Sequence, residues 1–374
     1  MKKVAIVQKA LAQYRIEFHN QLKKRLANEG VELTLIYSKL NNEDALKKDA
    51  VDLEWAICVP GKIFKLGSVN LLWQSCRRYL KDQDMVIVEQ ANKNLLNYLL
   101  FIRKYYSNQK LAYWGHGINR QINKGDVRNK FKKIFQNKSD WWFAYTGNVK
   151  NYLVEGSFPE DRITTVNNAI DTRFLMESYN EVSEEQADTL KKQLNISSNN
   201  IGIYCGGIYK EKRISFLIES CTLIKKQIPD FHLLVIGSGA DAWQVQKAAD
   251  SYDWIHYLGP KFGKEKVAFF KISSVFLMPG LVGLAILDSF ALQTPIVTTD
   301  FPFHSPEIEY LENGKNGLIT EDNTQDYSNA VIRLFKEEKL RNELLEGCKA
   351  SALKYTVEKM VDNFAEGILA CLRK

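Results

Sequence analysis

Short apolar runs alternate with helical stripes along most of the chain. Val4 to Val7 reads as a buried strand, and Ala10 to Gln13 as the loop after it. Tyr14 to Ala27 reads as a helix with Phe18, Leu22 and Leu26 on one face. Val31 to Tyr37 is the next strand. Strand, helix, strand begins a doubly wound α/β domain, and such domains bind ligands at the carboxyl edge of the sheet. Further strands are predicted at Met85 to Val88, Leu111 to Trp114, Trp142 to Tyr145 and from Ile163. Polar, charged sequence follows Asp171 through Asn200, with a helical stretch from Glu184 to Leu194. The first domain is therefore placed at 1–169 and the second at 170–355.

The pattern then restarts. Ile201 to Cys205 is a strand, Gly206 to Arg213 a loop, and Ile214 to Lys226 a helix. Phe231 to Gly237 and Trp254 to Leu258 are strands that run into glycines. Val275 to Met278 and Ile296 to Thr299 are two more buried runs. Between them lies Pro279-Gly280-Leu281-Val282-Gly283-Leu284-Ala285-Ile286-Leu287-Asp288, with Leu284, Leu287, Asp288 and Ala291 at helical spacing. This is strand, glycine turn, short helix, strand. Met360, Phe364, Ile368 and Leu372 recur at i, i+4 spacing in a terminal helix over residues 356–374. The expected fold is α/β, with two Rossmann-like doubly wound domains of similar architecture and no detectable sequence repeat.

Composition fits an ordinary globular protein whose 374 residues supply two cores. Met1-Lys2-Lys3 leads into an apolar run too short for a secretory core, and no run approaches a membrane span. The six cysteines form no C-x-x-C pair, and the five histidines are scattered. Reduced core thiols in a cytoplasmic protein, with no zinc site, are expected. The charge is uneven. Residues 1–169 carry 28 Lys+Arg against 16 Asp+Glu, while residues 170–374 carry 23 against 28. A basic first half suits an anionic partner: nucleic acid, an anionic membrane surface or a phosphorylated lipid. No zinc-finger or RNA-binding aromatic signature accompanies the charge, which disfavours nucleic acid.

The turn at Pro279 to Pro295 carries the most chemistry. Its glycines let backbone approach a ligand, and the unpaired N–H groups of a helix start favour anions. Asp288, one turn on, suits acceptance of hydroxyls, so the layout fits a phosphate attached to a sugar. A tight turn with a buried helix fits equally. Lys212 and Arg213 could neutralise a diphosphate, or be solvated charges. Gly206-Gly207 and Lys212 lack nucleotide-hydrolase loop spacing, and Gly237-Ser238-Gly239 lacks the dinucleotide fingerprint. His116, between two glycines at a strand end, suits contact with a substrate or its phosphate, or is a turn residue without a role. Asp82-Gln83-Asp84 has the form of a metal-binding pattern but directly precedes a strand. Arg120 to Lys138 is strongly basic with Phe131, Ile134 and Phe135 interleaved. It fits a helix lying on an anionic bilayer, or a solvated helix face.

Together these elements resemble the retaining, family-four (group 1) glycosyltransferases of GT-B fold. The resemblance rests on Asn168-Ala169-Ile170-Asp171, Gly206-Gly207-Ile208 with Lys212, Ile236-Gly237-Ser238-Gly239, Leu258-Gly259, the 280–288 signature and Glu312-Asn313-Gly314-Lys315-Asn316-Gly317-Leu318. It implies two domains facing across a cleft, with the terminal helix crossing back to the first. It implies a retaining hexosyl transfer from a nucleoside diphosphate sugar, UDP-sugar ahead of GDP-sugar, needing no metal or further cofactor. The implied acceptor is a lipid-linked or polysaccharide precursor of a bacterial surface glycan, with a soluble acceptor as alternative. The implied site is cytoplasmic, peripheral at the inner membrane face. The donor set is Gly207, Tyr209, Lys212, Pro260, Lys261, Gly280, Leu281, Val282, Gly283, Leu284 and Asp288. Tyr14, Arg15 and His116 are the acceptor side, and His116 and Lys212 are the catalytic candidates. Gly207 stands in place of a phosphate-pairing arginine, and Gly280 in place of a sugar-contacting glutamate. Those two losses motivate a competing expectation, a sugar-nucleotide-binding protein without catalysis.

Overall fold

The computed structural model describes residues 1–39, 51–67, 69–91, 93–117 and 137–374. Contacts divide the chain into one unit of Met1–Ile170 with Val357–Lys374 and a second of Asp171–Thr356.

The first unit is built on β1 (Lys2–Val7), β2 (Val31–Lys39), β3 (Ile57–Leu66), β4 (Val69–Gln74), β5 (Met85–Glu89), β6 (Lys110–Gly115), β7 (Trp141–Ala144) and β8 (Ile163–Thr165), in the order β4-β3-β2-β1-β5-β6-β7-β8. Every neighbouring pair is parallel except β3 and β4. Val4 to Val7 are buried, as strands sandwiched between helix layers must be. The β3–β4 hairpin is not among the sequence-derived elements, because Pro60 and Gly61 interrupt its apolar pattern. Asp84 ion-pairs with Lys2 at 2.9 Å and accepts from the Lys3 N–H at 2.8 Å, so it fastens the start of β1. The helix Val357–Arg373 packs on this unit: Phe364 stacks on Phe143 at 4.1 Å and meets Phe18 and Trp114 edge-on. Of the basic stretch, positions 120–136 lie outside the described residues.

The second unit holds β9 (Ile201–Cys205), β10 (His232–Ile236), β11 (Ile255–Gly259), β12 (Val275–Leu277), β13 (Ile296–Thr299) and β14 (Gly317–Thr320). The sheet is parallel throughout, in the order β11-β10-β9-β12-β13-β14. Both sheets follow the doubly wound rule: strand order reverses once, between β1 and β5 and between β9 and β12, and loops part at that point. The segment from Glu312 to Leu318 is a brace for this unit. Asn316 donates to the Tyr310 carbonyl and to Ser351 Oγ, and its Oδ1 accepts from the Glu312 N–H. Among the described residues no helix is long and apolar enough to cross a membrane.

Candidate functional site

The reversal point of the second sheet brings together the loops after β9 and β12. Past β9, the Tyr204 hydroxyl donates to the Gly207 carbonyl at 2.6 Å and fixes the loop. A Cβ on Gly207 would stand 2.9 Å from Cε1 of Tyr209. The half-exposed Tyr209 ring therefore fills the space that a longer side chain at 207 would take. The chain continues through a 3-10 turn, Lys210–Lys212, to Arg213 in the left-handed region (φ 58°). Arg213 turns to Asp322, with Thr299 Oγ1 at 3.3 Å. It is thereby committed to the body of the unit.

Lys212 is buried, not solvated. Its ammonium donates to the Leu281 carbonyl and lies 3.8 Å from the Met278 sulfur. Burial pulls its pKa down from the ordinary 10.5 to about 8, against the opposing Cys205 thiol. The Leu281 N–H donates back to the Glu211 carbonyl at 2.9 Å, so the two loops clasp one another. This contact corrects the expectation for Gly280. A Cβ there would lie 2.3 Å from the Glu211 carbonyl oxygen and 2.7 Å from the Lys212 carbonyl carbon. Position 280 is a backbone-on-backbone contact, and no side chain fits without parting the loops. Gly280→Ala should cost about 1–3 kcal/mol of stability as an overpacking change. Gly283→Ala, whose Cβ would meet only Ser305, its Oγ at 3.3 Å and its Cβ at 3.5 Å, should cost less. Urea midpoints of the two variants check the order.

The N–H groups of the turn divide into two sets. That of Leu281 is used in the clasp. That of Val282 donates to His304 Nδ1 at 3.0 Å, while His304 Nε2 lies 2.9 Å from the Thr299 carbonyl. Nε2 must carry the proton in this arrangement, since the carbonyl only accepts. Leu281 and Val282 therefore have no N–H to offer a ligand, and the Val282 side chain is fully buried. The N–H groups of Gly283 and Leu284 have no acceptor among the described residues. With the Ala285 N–H they are the orphan donors at the start of the helix Ala285–Ala291.

Asp288 lies one turn on, on the same helix face as Leu284. Its Oδ2 pairs with Lys266 Nζ at 2.7 Å, with the two side chains 9% and 15% exposed. Its Oδ1 is sealed from solvent without a hydrogen-bond partner. Lys266, from the helix Lys264–Lys271, was not singled out in the sequence. Burial pulls the Lys266 pKa down, but the Asp288 carboxylate and the Cys205 thiol outweigh it, and the net shift is upward. Burial pushes the Cys205 thiol up to about 12, with Lys266, Asp288 and Lys212 all near enough to act on it. One sheet edge thus collects two lysines, a carboxylate and the free N–H groups of a helix start. Pro260 and Lys261 follow β11, exposed and half-buried respectively. The Gly259 carbonyl before them accepts from the Gly237 N–H at 3.0 Å.

The first unit has its own polar sheet edge. His116, just past β6, is exposed, with its ring 4.5 Å from that of Tyr145. Arg15 is buried, its guanidinium 4.9 Å from the Trp114 ring and 5.1 Å from that of Tyr14. Its recorded hydrogen bond is to the Met360 sulfur at 3.8 Å. Tyr14 is 45% exposed. His19 is fully buried, with Nε2 3.1 Å from Gln8 Oε1. Burial first, then the Arg15 guanidinium, push its pKa down to about 3, so it is neutral. Gln74 donates to the Gln8 carbonyl and to Ser38 Oγ. Gln8, His19 and Gln74 were not among the sequence candidates, because isolated polar residues beside apolar runs carry no pattern.

The model of the family described as Glycosyl transferases group 1 matches residues 186–350, a span that contains every donor-side candidate. An alpha-monoglucosyldiacylglycerol synthase from Acholeplasma laidlawii is 29% identical over 160 residues, 41% of this chain and 38% of that protein. The matched stretches span between 33% and 67% of the curated relatives. A glycosyltransferase structure from Rickettsia africae superposes with a TM-score of 0.70 at 16% identity, covering 98% of this chain and 97% of that one. Anabaena HepE, solved in complex with UDP, gives 0.73 at 12% identity, covering 99% and 100%. The chain therefore has the GT-B fold, and residues 186–350, within its second unit, match the group 1 glycosyltransferase family model.

Proposed function

We propose that this chain is a retaining, metal-independent hexosyltransferase. It takes a nucleoside diphosphate sugar, UDP-sugar before GDP-sugar, and transfers the sugar to an acceptor hydroxyl. The observation that carries the proposal is the pair of unpaired N–H groups at Gly283 and Leu284, beside the buried ammonium of Lys212. As the bond to the anomeric carbon breaks, charge grows on the leaving diphosphate. Donors already fixed in place stabilise that charge without reorganising. Lys212 is held by the Leu281 carbonyl next to this turn, so it can serve the diphosphate as a cation. In this reading the Asp288 carboxylate accepts a ribose hydroxyl, and Pro260 and Lys261 flank the base. Attack on the front face, with the donor phosphate taking the acceptor proton, asks for no side-chain nucleophile. Tyr14, Arg15 and His116 are the acceptor side in this reading. No further cofactor is required.

The acceptor is proposed to be a lipid-linked or polysaccharide precursor of a bacterial surface glycan, taken up at the cytoplasmic membrane face. The +12 balance of the first 169 residues and a relative named for a glucosylated diacylglycerol support this. HepE, solved with UDP, supports the base.

A thermal-shift series over UDP- and GDP-hexoses tests the donor. Ligand at a hundred times its dissociation constant stabilises the folded state by about 2.7 kcal/mol, enough to raise the midpoint visibly. One of these sugars should do so, and should release its nucleoside diphosphate faster when acceptor is added, with chelator present. A flat series would refute the proposal.

A further inference from the structure

The β3–β4 hairpin reaches beyond the sheet that carries it. β1 ends level with the start of β3, since Val7 pairs with Ile36 and Ile36 with Ile57. β3 pairs with β2 as far as Pro60, and among the described residues Gly61 to Leu66 pair with β4 alone. At the usual rise of a strand these residues form a ribbon about 20 Å long. It runs past the carboxyl edge of the first sheet, the edge that also carries Tyr14, Arg15 and His116. A two-stranded ribbon is marginal by itself, and this one is rooted. The buried Gln74 donates to the Gln8 carbonyl at 2.8 Å and to Ser38 Oγ at 3.0 Å, and accepts from Asn94 Nδ2 at 3.3 Å. The Leu72 N–H donates to the Lys93 carbonyl at 2.7 Å. Further out, Ile63 and Phe64 are 41% and 50% exposed. They point to opposite faces: Phe64 stands opposite Leu71, and Ile63 opposite Leu72. Lys62, on the face of Phe64, and Lys65, on that of Ile63, are exposed as well. Between Glu54 and Asp82 the basic residues are Lys62, Lys65, Arg77, Arg78 and Lys81, and no acidic residue opposes them.

We propose that this ribbon is a membrane wedge: Ile63 and Phe64 enter the headgroup layer of an anionic bilayer, and Lys62 and Lys65 meet the lipid phosphates. A ribbon that docks flat on a protein gathers its exposed apolar side chains on one face. Apolar side chains on both faces, each with a lysine beside it, suit end-on entry into lipid. There the lysine stems lie along apolar surface while the ammonium groups stay at the phosphates. The rooted base then holds the acceptor edge of the first unit at the lipid surface. The inference rests on the acceptor being lipid-linked, and it names the surface that meets the membrane.

The test is co-sedimentation with vesicles of equal parts phosphatidylglycerol and phosphatidylcholine, and of phosphatidylcholine alone, at low and high salt. The wild type should partition onto the mixed vesicles at low salt and about tenfold or more weakly onto phosphatidylcholine. Ile63→Ser with Phe64→Ser should lower partitioning onto the mixed vesicles about tenfold. Lys62→Ser with Lys65→Ser should lower it about fivefold for each lysine at low salt, and much less at high salt. Phe64→Trp should keep or strengthen it, because tryptophan favours the membrane interface. These side chains are exposed, so each variant should keep the wild-type thermal midpoint and its shift with UDP-hexose. Partitioning that survives the loss of Ile63 and Phe64 overturns the wedge and leaves the membrane acceptor to another surface. A wild type that ignores anionic vesicles overturns the wedge and the membrane acceptor together. The UDP-hexose shift needs no lipid and reports on the donor separately. A wild type that stays off vesicles but dimerises, with Ile63→Ser and Phe64→Ser restoring the monomer, makes a second copy the occupant and overturns the proposal. Should the double serine variant fail to fold, the lysine pair and Phe64→Trp decide: unchanged partitioning without the lysines, or its loss in Phe64→Trp, overturns it.

Discussion

Asp288→Ala should weaken donor binding about tenfold or more and, in addition, destabilise the second unit by about 3–5 kcal/mol, the usual cost of stripping one partner from a buried ion pair. The cost arises because Lys266 would be left with its ammonium in a nearly closed space, facing no carboxylate. Asp288→Asn keeps the volume and still offers an oxygen to Lys266, so most of the stability should survive while donor affinity drops. Chemical denaturation of the two variants, alongside donor titration, separates the roles. If Asp288→Ala were as stable as the wild type, the ion pair would not be holding the site together. If Asp288→Asn bound donor as tightly as the wild type, the carboxylate would not be its ligand.

Lys212→Met should lower turnover by about two to three orders of magnitude at saturating donor, the scale seen when one preorganised donor to a developing anion is removed. The fold should hold or gain slightly, because a buried ammonium is replaced by an apolar chain of similar length. The pH dependence carries a sign of its own. The folded-state pKa of Lys212 is about 8, below its ordinary 10.5. Between those values the unfolded chain binds more protons, so this residue makes stability rise with pH across that window. Donor affinity should move the other way. The cation is lost as pH rises through 8, and affinity should fall roughly tenfold between pH 7 and pH 9. Lys212→Met should show neither trend. A wild type whose donor affinity is flat across that range would remove Lys212 from the diphosphate site.

Some of this molecule is legible in its sequence. Ile201–Cys205 and Ile296–Thr299 can be placed to the residue, because each is a short run of apolar and β-branched residues with polar or turn-forming residues at both ends. Glu184–Gln193 is visible because Ser183 and Gln186 form a capping box before a helical stripe. The β3–β4 hairpin is hidden by Pro60 and Gly61, and the helix Ala242–Ser251 by a stripe of only Val245 and Ala248. At the site, Gly283, Leu284 and Asp288 follow from local spacing, since a glycine turn before a helix exposes N–H groups whatever lies around it. The pairings that modify them are long-range. Lys266 stands beside Lys264 and Glu265, which marks a solvated face, until the fold sets it against Asp288. His304 claims the Val282 N–H, and the Glu211 carbonyl excludes a side chain at 280. No periodicity announces either contact, because both depend on which loops share a sheet edge.

The free N–H groups of Gly283 and Leu284 are expected to receive the diphosphate. Their amide resonances, followed while uridine and then UDP are titrated into the labelled protein, test it most directly. UDP should shift both resonances strongly downfield as hydrogen bonds to phosphate form, uridine should leave them nearly in place, and the Val282 amide should move little in either titration. Binding of UDP with Gly283 and Leu284 unmoved would contradict the account.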